Sequence, residues 1–222
     1  MSTRHRLVLV LVASFAFGLF AAWAKGQNTD ALGFISQIRS DLGNLSTPWL
    51  LVPFAAGVMF PQRWSSVVVG LAATATALVA FYLLTTLVID LGGHGFLADF
   101  RLELMANRYY LEGGVVTGPL FGAVGGWWKR SASLPALLLI GILLIAEPLV
   151  LLGMDALGAI GLTTAAHLPG PLRVLPGWQL SFNSGAVTLS VYGGELLVGA
   201  ALVAVAMVPR LSSRSGLTAR TS

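Results

Sequence analysis

The stretch Gly113–Arg130, GGVVTGPLFGAVGGWWKR, decides how the rest of the chain is read. Gly114, Gly118, Gly122 and Gly126 recur at every fourth position. On a helix that spacing sets them on one face. Glycine is a poor helix former in water. In lipid, a glycine face lets a second helix come very close, and van der Waals packing then holds the pair. The stretch runs into Trp127, Trp128, Lys129 and Arg130. Two indoles followed by two cations have the makeup of a membrane interface on a cytoplasmic side. The pattern predicts a short membrane helix over 114–128, packed inside a bundle through a glycine zipper.

Composition agrees with that reading. Of 222 residues, 56% are hydrophobic and 10% charged, whereas soluble domains carry about 25% charge. There is no cysteine, which excludes disulfides, thiolate chemistry and Cys-ligated metals. Arginine far outnumbers lysine, and Ala, Gly, Val and Leu dominate, a usage associated with GC-rich bacterial genomes. The expected location is a bacterial plasma membrane.

Working outward, six apolar runs emerge, at about 7–24, 49–61, 66–89, 114–128, 133–153 and 189–208. They predict an all-α polytopic membrane protein, a single transmembrane domain over 1–210 with a disordered cytoplasmic tail at 211–222. The first run follows Arg4 and Arg6 and ends at Ala22-Trp23-Ala24, the small-x-small form of a signal-peptide cleavage site. An uncleaved helix is preferred: the run is long enough to span, and Ser14, Gly18 and Ala22 form a second small-residue face. The second run is short and contains Pro53. It spans only if neighbouring helices shield its outer part. Between the runs, 26–48 and the charged insert 94–113 each read as an amphipathic helix at the surface. Leu97, Phe100, Leu104 and Tyr109 make the apolar face of the second.

Charge placement sets the orientation. Arg4, Arg6, Arg63, Lys129, Arg130, Arg210, Arg214 and Arg220 gather on one side with no acid among them. The positive-inside rule puts that side, and both termini, in the cytoplasm, with the three long connections outside. The segments VPFAAGVMFPQRWSS and TGPLFGAVGGWWKRS also align without gaps, Pro53 on Pro119 and Arg63 on Lys129. The chain therefore reads as three helical hairpins whose second and fourth helices are short. Short, Gly/Pro-interrupted segments at matching positions mark binding sites in transporters.

Two acids lie inside spans, Glu147 and Glu195, each about 10 Å below the outer surface at 1.5 Å per residue. An intramembrane carboxylate faces a polar interior or a cavity and is a functional candidate. Pro148 beside Glu147 frees a backbone carbonyl for the same place. Arg108, Tyr109 and Tyr110 precede the glycine helix and could reach over the bundle, where aromatics beside an arginine suit a planar or anionic ligand. Tyr192 stands one turn from Glu195 and completes the candidate ligand set; its plainer role is a hydrogen bond to that carboxylate. His94 and His167 have no neighbour at metal-ligand spacing, so no metal is expected. No phosphate loop, nucleophile elbow or paired-acid motif occurs, so no cofactor is expected and no catalytic residue is assigned. The cytoplasmic cations suit anionic lipid, so lipid rather than nucleic acid is the expected partner.

The six runs, the small-residue face Ser14, Gly18 and Ala22, and the segment GPLFGAVGG resemble the substrate-binding S-components of energy-coupling-factor transporters. That segment with its WWKRS continuation also resembles six-helix membrane families of actinobacteria. The S-component resemblance covers the whole chain as architecture. It implies a ligand site near the outer surface, built from the outer connections and helix ends. It also implies that the face on the first helix docks a membrane protein partner. Binding or transport of a small molecule is the first expectation. A structural or regulatory subunit packed through the glycine face is the second. A membrane enzyme on a lipid or isoprenoid, with Glu147 and Glu195 as acid and base, is the third.

Overall fold

The computed structural model describes residues 2–25, 47–88, 95–131, 134–159 and 186–218. Every regular element among them is a helix: α1 Thr3–Lys25, α2 Thr47–Met59, α3 Arg63–Val88, α4 Phe96–Ala106, α5 Arg108–Ser131, α6 Leu134–Ala159 and α7 Ala186–Thr218. Among the described residues, three segments are long and apolar enough to cross a membrane: Thr3–Ala24, Arg63–Val88 and Ser190–Met207. Thr47–Met59 and Leu134–Val150 are shorter apolar helices. These lengths are compatible with a membrane location.

The hub is α3, which packs against α1, α2, α4 and α5. Its sequence allows this because small side chains face several ways at once. Ser66, Gly70, Ala73, Ala77 and Ala80 are all buried. Its threonines do not disturb the packing, since each satisfies its hydroxyl within the helix. Thr74 donates to the Gly70 carbonyl at 3.1 Å and Thr86 to that of Tyr82 at 2.8 Å. This intrahelical bonding is the usual way a hydroxyl is hidden where water is excluded.

The α5 glycines meet α3 in order. A Cβ on Gly114 would lie 2.7 Å from Leu78 Cδ1, and one on Gly118 would lie 3.1 Å from Leu71 Cα. One on Gly122 would lie 2.9 Å from Gly70 Cα, and one on Gly126 2.5 Å from Ser66 Cβ. Partner numbers fall as α5 numbers rise, so the two helices run antiparallel. The other side of Gly122 takes α2, where a Cβ on Gly57 would come within 3.0 Å of Gly122 Cα. Gly122 is thus the point where three backbones converge. The aromatic pair Phe54–Trp128 (ring centroids 5.9 Å apart) and the bond from Arg130 to the Pro61 carbonyl continue the α2–α5 contact to the basic turn.

Gly18 of α1 lies on the Ala77 backbone of α3, and Ser14 and Ala22 are buried. The face that the resemblance gives to a partner protein is therefore occupied by the chain's own α3. Small side chains at Ala73, Ala77 and Ala80 make that intrachain contact the closer fit. The pair α6 and α7 approach through Gly141 and Gly199, where a Cβ on Gly199 would lie 2.9 Å from the Gly141 carbonyl oxygen. Phe121, Ile140 and Leu144, with Leu50, Phe54 and Leu202 packed on them, tie this pair to α5 and α2.

Several expected boundaries move. Helix α5 begins at Arg108 rather than 114, so the fourth helix is not short and Arg108, Tyr109 and Tyr110 form its first turn; with that polar start it is not among the helices long and apolar enough to cross a membrane. Asn107 ends α4 by bonding its amide to the Glu103 carbonyl at 2.9 Å, and the chain restarts as helix at once. Helix α6 continues to Ala159, and α7 to Thr218 through most of the expected tail. Once a helix is nucleated, each further residue adds a hydrogen bond at little cost, so helices outrun their apolar runs. In α4, Phe100 and Leu104 pack inward, but Leu97 is 79% exposed and Asp99 is the buried residue. Trp49 packs edge-on between Phe17 and Phe81. The predicted surface helix over 26–48 falls almost wholly outside the described residues.

Candidate functional site

Helix α2 is short because it starts at Thr47-Pro48. Threonine before proline is a helix-start signature: the hydroxyl can cap, and proline at the first helical position lacks a donor that would be orphaned there. The start is completed from a distance. The Thr47 backbone N–H donates to Glu147 Oε2 at 2.7 Å, and the Thr47 hydroxyl donates to the same oxygen at 2.5 Å. Glu147 thus does what the glutamate of a capping box does, but from another helix 100 residues on. Its acceptor oxygen sits at the N-terminal end of α2, where the helix dipole favours an acceptor.

Glu195 joins this arrangement from α7. Helices α6 and α7 pack antiparallel with Gly141 near Val203 and Gly199, which brings the two glutamates to one level. The Glu195 carboxyl faces those of Glu147 and the Thr47 hydroxyl. Glu195 is 7% exposed, and neither of its oxygens receives a hydrogen bond among the described residues. The reason is donor supply. The one hydroxyl proton of Thr47 is committed to Glu147, and the Glu147 carboxylate is itself an acceptor. The site is therefore rich in acceptors and poor in donors.

Pro148 is fully buried beside Glu147, and Tyr192 is buried one turn before Glu195. Arg108 is exposed. Tyr110 is half-buried and stands close to Tyr82. Burial raises its phenol above the ordinary tyrosine value. The Tyr109 side chain lies outside what the structure describes, as does the connection 160–185. Of the candidate residues, the structure brings together Glu147 and Glu195, with Tyr192 on the same helix as Glu195. Sequence reasoning missed two others. Thr47 was detectable from its Thr-Pro helix start before an apolar run. Asp99, buried with its Oδ1 lacking a partner among the described residues, gave no signal in a segment so highly charged. No group of three or more metal-ligating side chains occurs among the described residues.

No protein-family model, curated protein or solved structure matches the chain.

Proposed function

We propose that the chain is a six-helix membrane protein that binds a small molecule from the outer face and moves or delivers it across the membrane. The binding site is centred on Glu147 and Glu195. Its helices are α1, α2, α3, α5, α6 and α7, arranged as three hairpins, with both termini cytoplasmic. One observation carries the reading: Glu195 is buried, has no donor among the described residues, and faces a second carboxyl that already caps a helix. Capping needs one carboxylate. A second buried carboxyl adds desolvation cost and, among the described residues, no hydrogen bond, which is the mark of a residue kept for a ligand.

Geometry supports the placement. Thirteen residues of α2 extend about 20 Å, against a hydrocarbon core of about 30 Å. The α2 N-terminus then opens inside the bilayer, shielded by other helices. Helices that begin at mid-depth and aim an end at bound charge are how many secondary transporters build their sites. The subunit reading loses ground, because the glycine and small-residue faces are used within the chain. The enzyme reading loses ground as well, because two donors already hold Glu147 in place.

The test is purification from native membranes in mild detergent, with mass spectrometry of bound small molecules. A metabolite that co-purifies with the wild type and is lost in Glu195→Gln supports the reading. Identical metabolites in both, or none in either, removes it. Because the chain has no cysteine, orientation can be read from single cysteines placed at Ser2 and Ser65. Both should react with an impermeant maleimide only after the membrane is opened.

A further inference from the structure

We propose that the Glu147–Glu195 pair holds one positive charge at a time, a proton in the empty protein and the protonated amine of a small molecule in the loaded one, exchanged one for one. This rests on the ligand-binding reading above and names the chemistry of its occupant.

Two carboxylates that face each other where one is buried and the other half-buried repel, and a shared proton relieves this. The Thr47 hydroxyl and N–H both point at Glu147, so they help only one of the pair. Glu195 is left with two buried oxygens and no donor among the described residues. An ammonium group carries three donors and no acceptor, the complement of what surrounds it here. When the amine enters, the shared O–H proton leaves to solvent. The site then holds two carboxylates and one ammonium in place of two carboxylates and one proton. Its net charge is unchanged, so the exchange adds no uncompensated charge to the bundle.

Other titratable groups near the pair are few. Helix α2 carries none. On α7 the described neighbour is Tyr192, one turn from Glu195. On α5 they sit at the two ends, Arg108, Tyr109, Tyr110 and Glu112 at one and Lys129 and Arg130 at the other. Asp99 on α4 is the other buried carboxyl and serves as the control.

The experiment uses the full chain in detergent at neutral pH and reads the infrared carbonyl stretch of protonated carboxyl. Methylammonium chloride is then added in weak buffer with a pH-reporting dye. The expected result is a carboxylic-acid band in the wild type and in Asp99→Asn that is lost in Glu195→Gln and in Glu147→Gln. Methylammonium should remove the same band and release protons in a one-to-one ratio with binding. Folding of each variant is checked by gel filtration, and two independent glutamine variants guard against the failure of either. A wild-type band that survives both variants, or its absence, overturns the proposal. A band that methylammonium leaves in place, with no proton released, overturns the exchange. A metabolite lost from Glu195→Gln but carrying no amine would sink this inference while leaving the binding function standing.

Discussion

Replacing Gly122 with alanine tests the fold where α2, α3 and α5 meet. A Cβ there would meet the Ser66 carbonyl oxygen and would lie 2.9 Å from Gly70 Cα. Carbon atoms pack at about 3.5–4.0 Å, so α5 must withdraw from α3 by on the order of 1 Å. The opposing atoms are backbone and cannot turn aside as a side-chain tip would. Withdrawal also loosens the Gly118–Leu71 and Gly126–Ser66 contacts on the same face. It is blocked on the other side, where Gly57 of α2 lies against Gly122. Overpacking of this kind costs about 1–3 kcal/mol, and alanine returns about 1 kcal/mol in helix propensity. Because two interfaces are involved, the upper end applies, and the net loss is about 2 kcal/mol. That corresponds to about a 30-fold drop in the folded-to-unfolded ratio. The assay is reversible unfolding in mixed micelles, followed by the fluorescence of the six tryptophans. A Gly122→Ala protein as stable as the wild type, or more so, would refute the close packing of α2, α3 and α5.

Gly193→Ala is the matched control. Among the described residues nothing lies within 4 Å of a Cβ there, so the substitution should be neutral or stabilise by up to about 1 kcal/mol in the same titration. Thr47→Val removes the hydroxyl that bonds Glu147 and should cost about 1–2 kcal/mol as a lost cap, whereas Thr47→Ser should keep most of it; equal melting temperatures for the two would show that the cap contributes nothing. Glu195→Leu replaces a buried, donorless carboxyl by an apolar side chain and should stabilise by about 1–3 kcal/mol while abolishing ligand retention. A destabilised Glu195→Leu protein would mean that the carboxyl has structural partners after all.

The sequence by itself determined that this chain is helical and apolar, and which of its glycines share a helix face. That information is local: residues four apart meet on a helix whatever surrounds it. It also singled out Glu147 and Glu195, because a carboxyl inside an apolar run is unusual wherever the helices go. Helix ends were less legible. The apolar run beginning at 114 marks where lipid-facing composition starts, whereas the helix beginning at Arg108 is set by backbone hydrogen bonding. Only the tertiary structure decided what each face meets. The small-residue face of α1 looks the same in sequence whether it receives a partner or α3. The packing of Gly18 on Ala77 chooses α3. Likewise, nothing local links Thr47 to Glu147. Their hydrogen bonds exist because α2 starts at the level α6 reaches after about 20 Å. The antiparallel packing of α6 and α7 through Gly141 and Gly199 then sets Glu195 opposite. The candidate site is thus a product of helix lengths and crossing points, quantities that depend on the whole bundle.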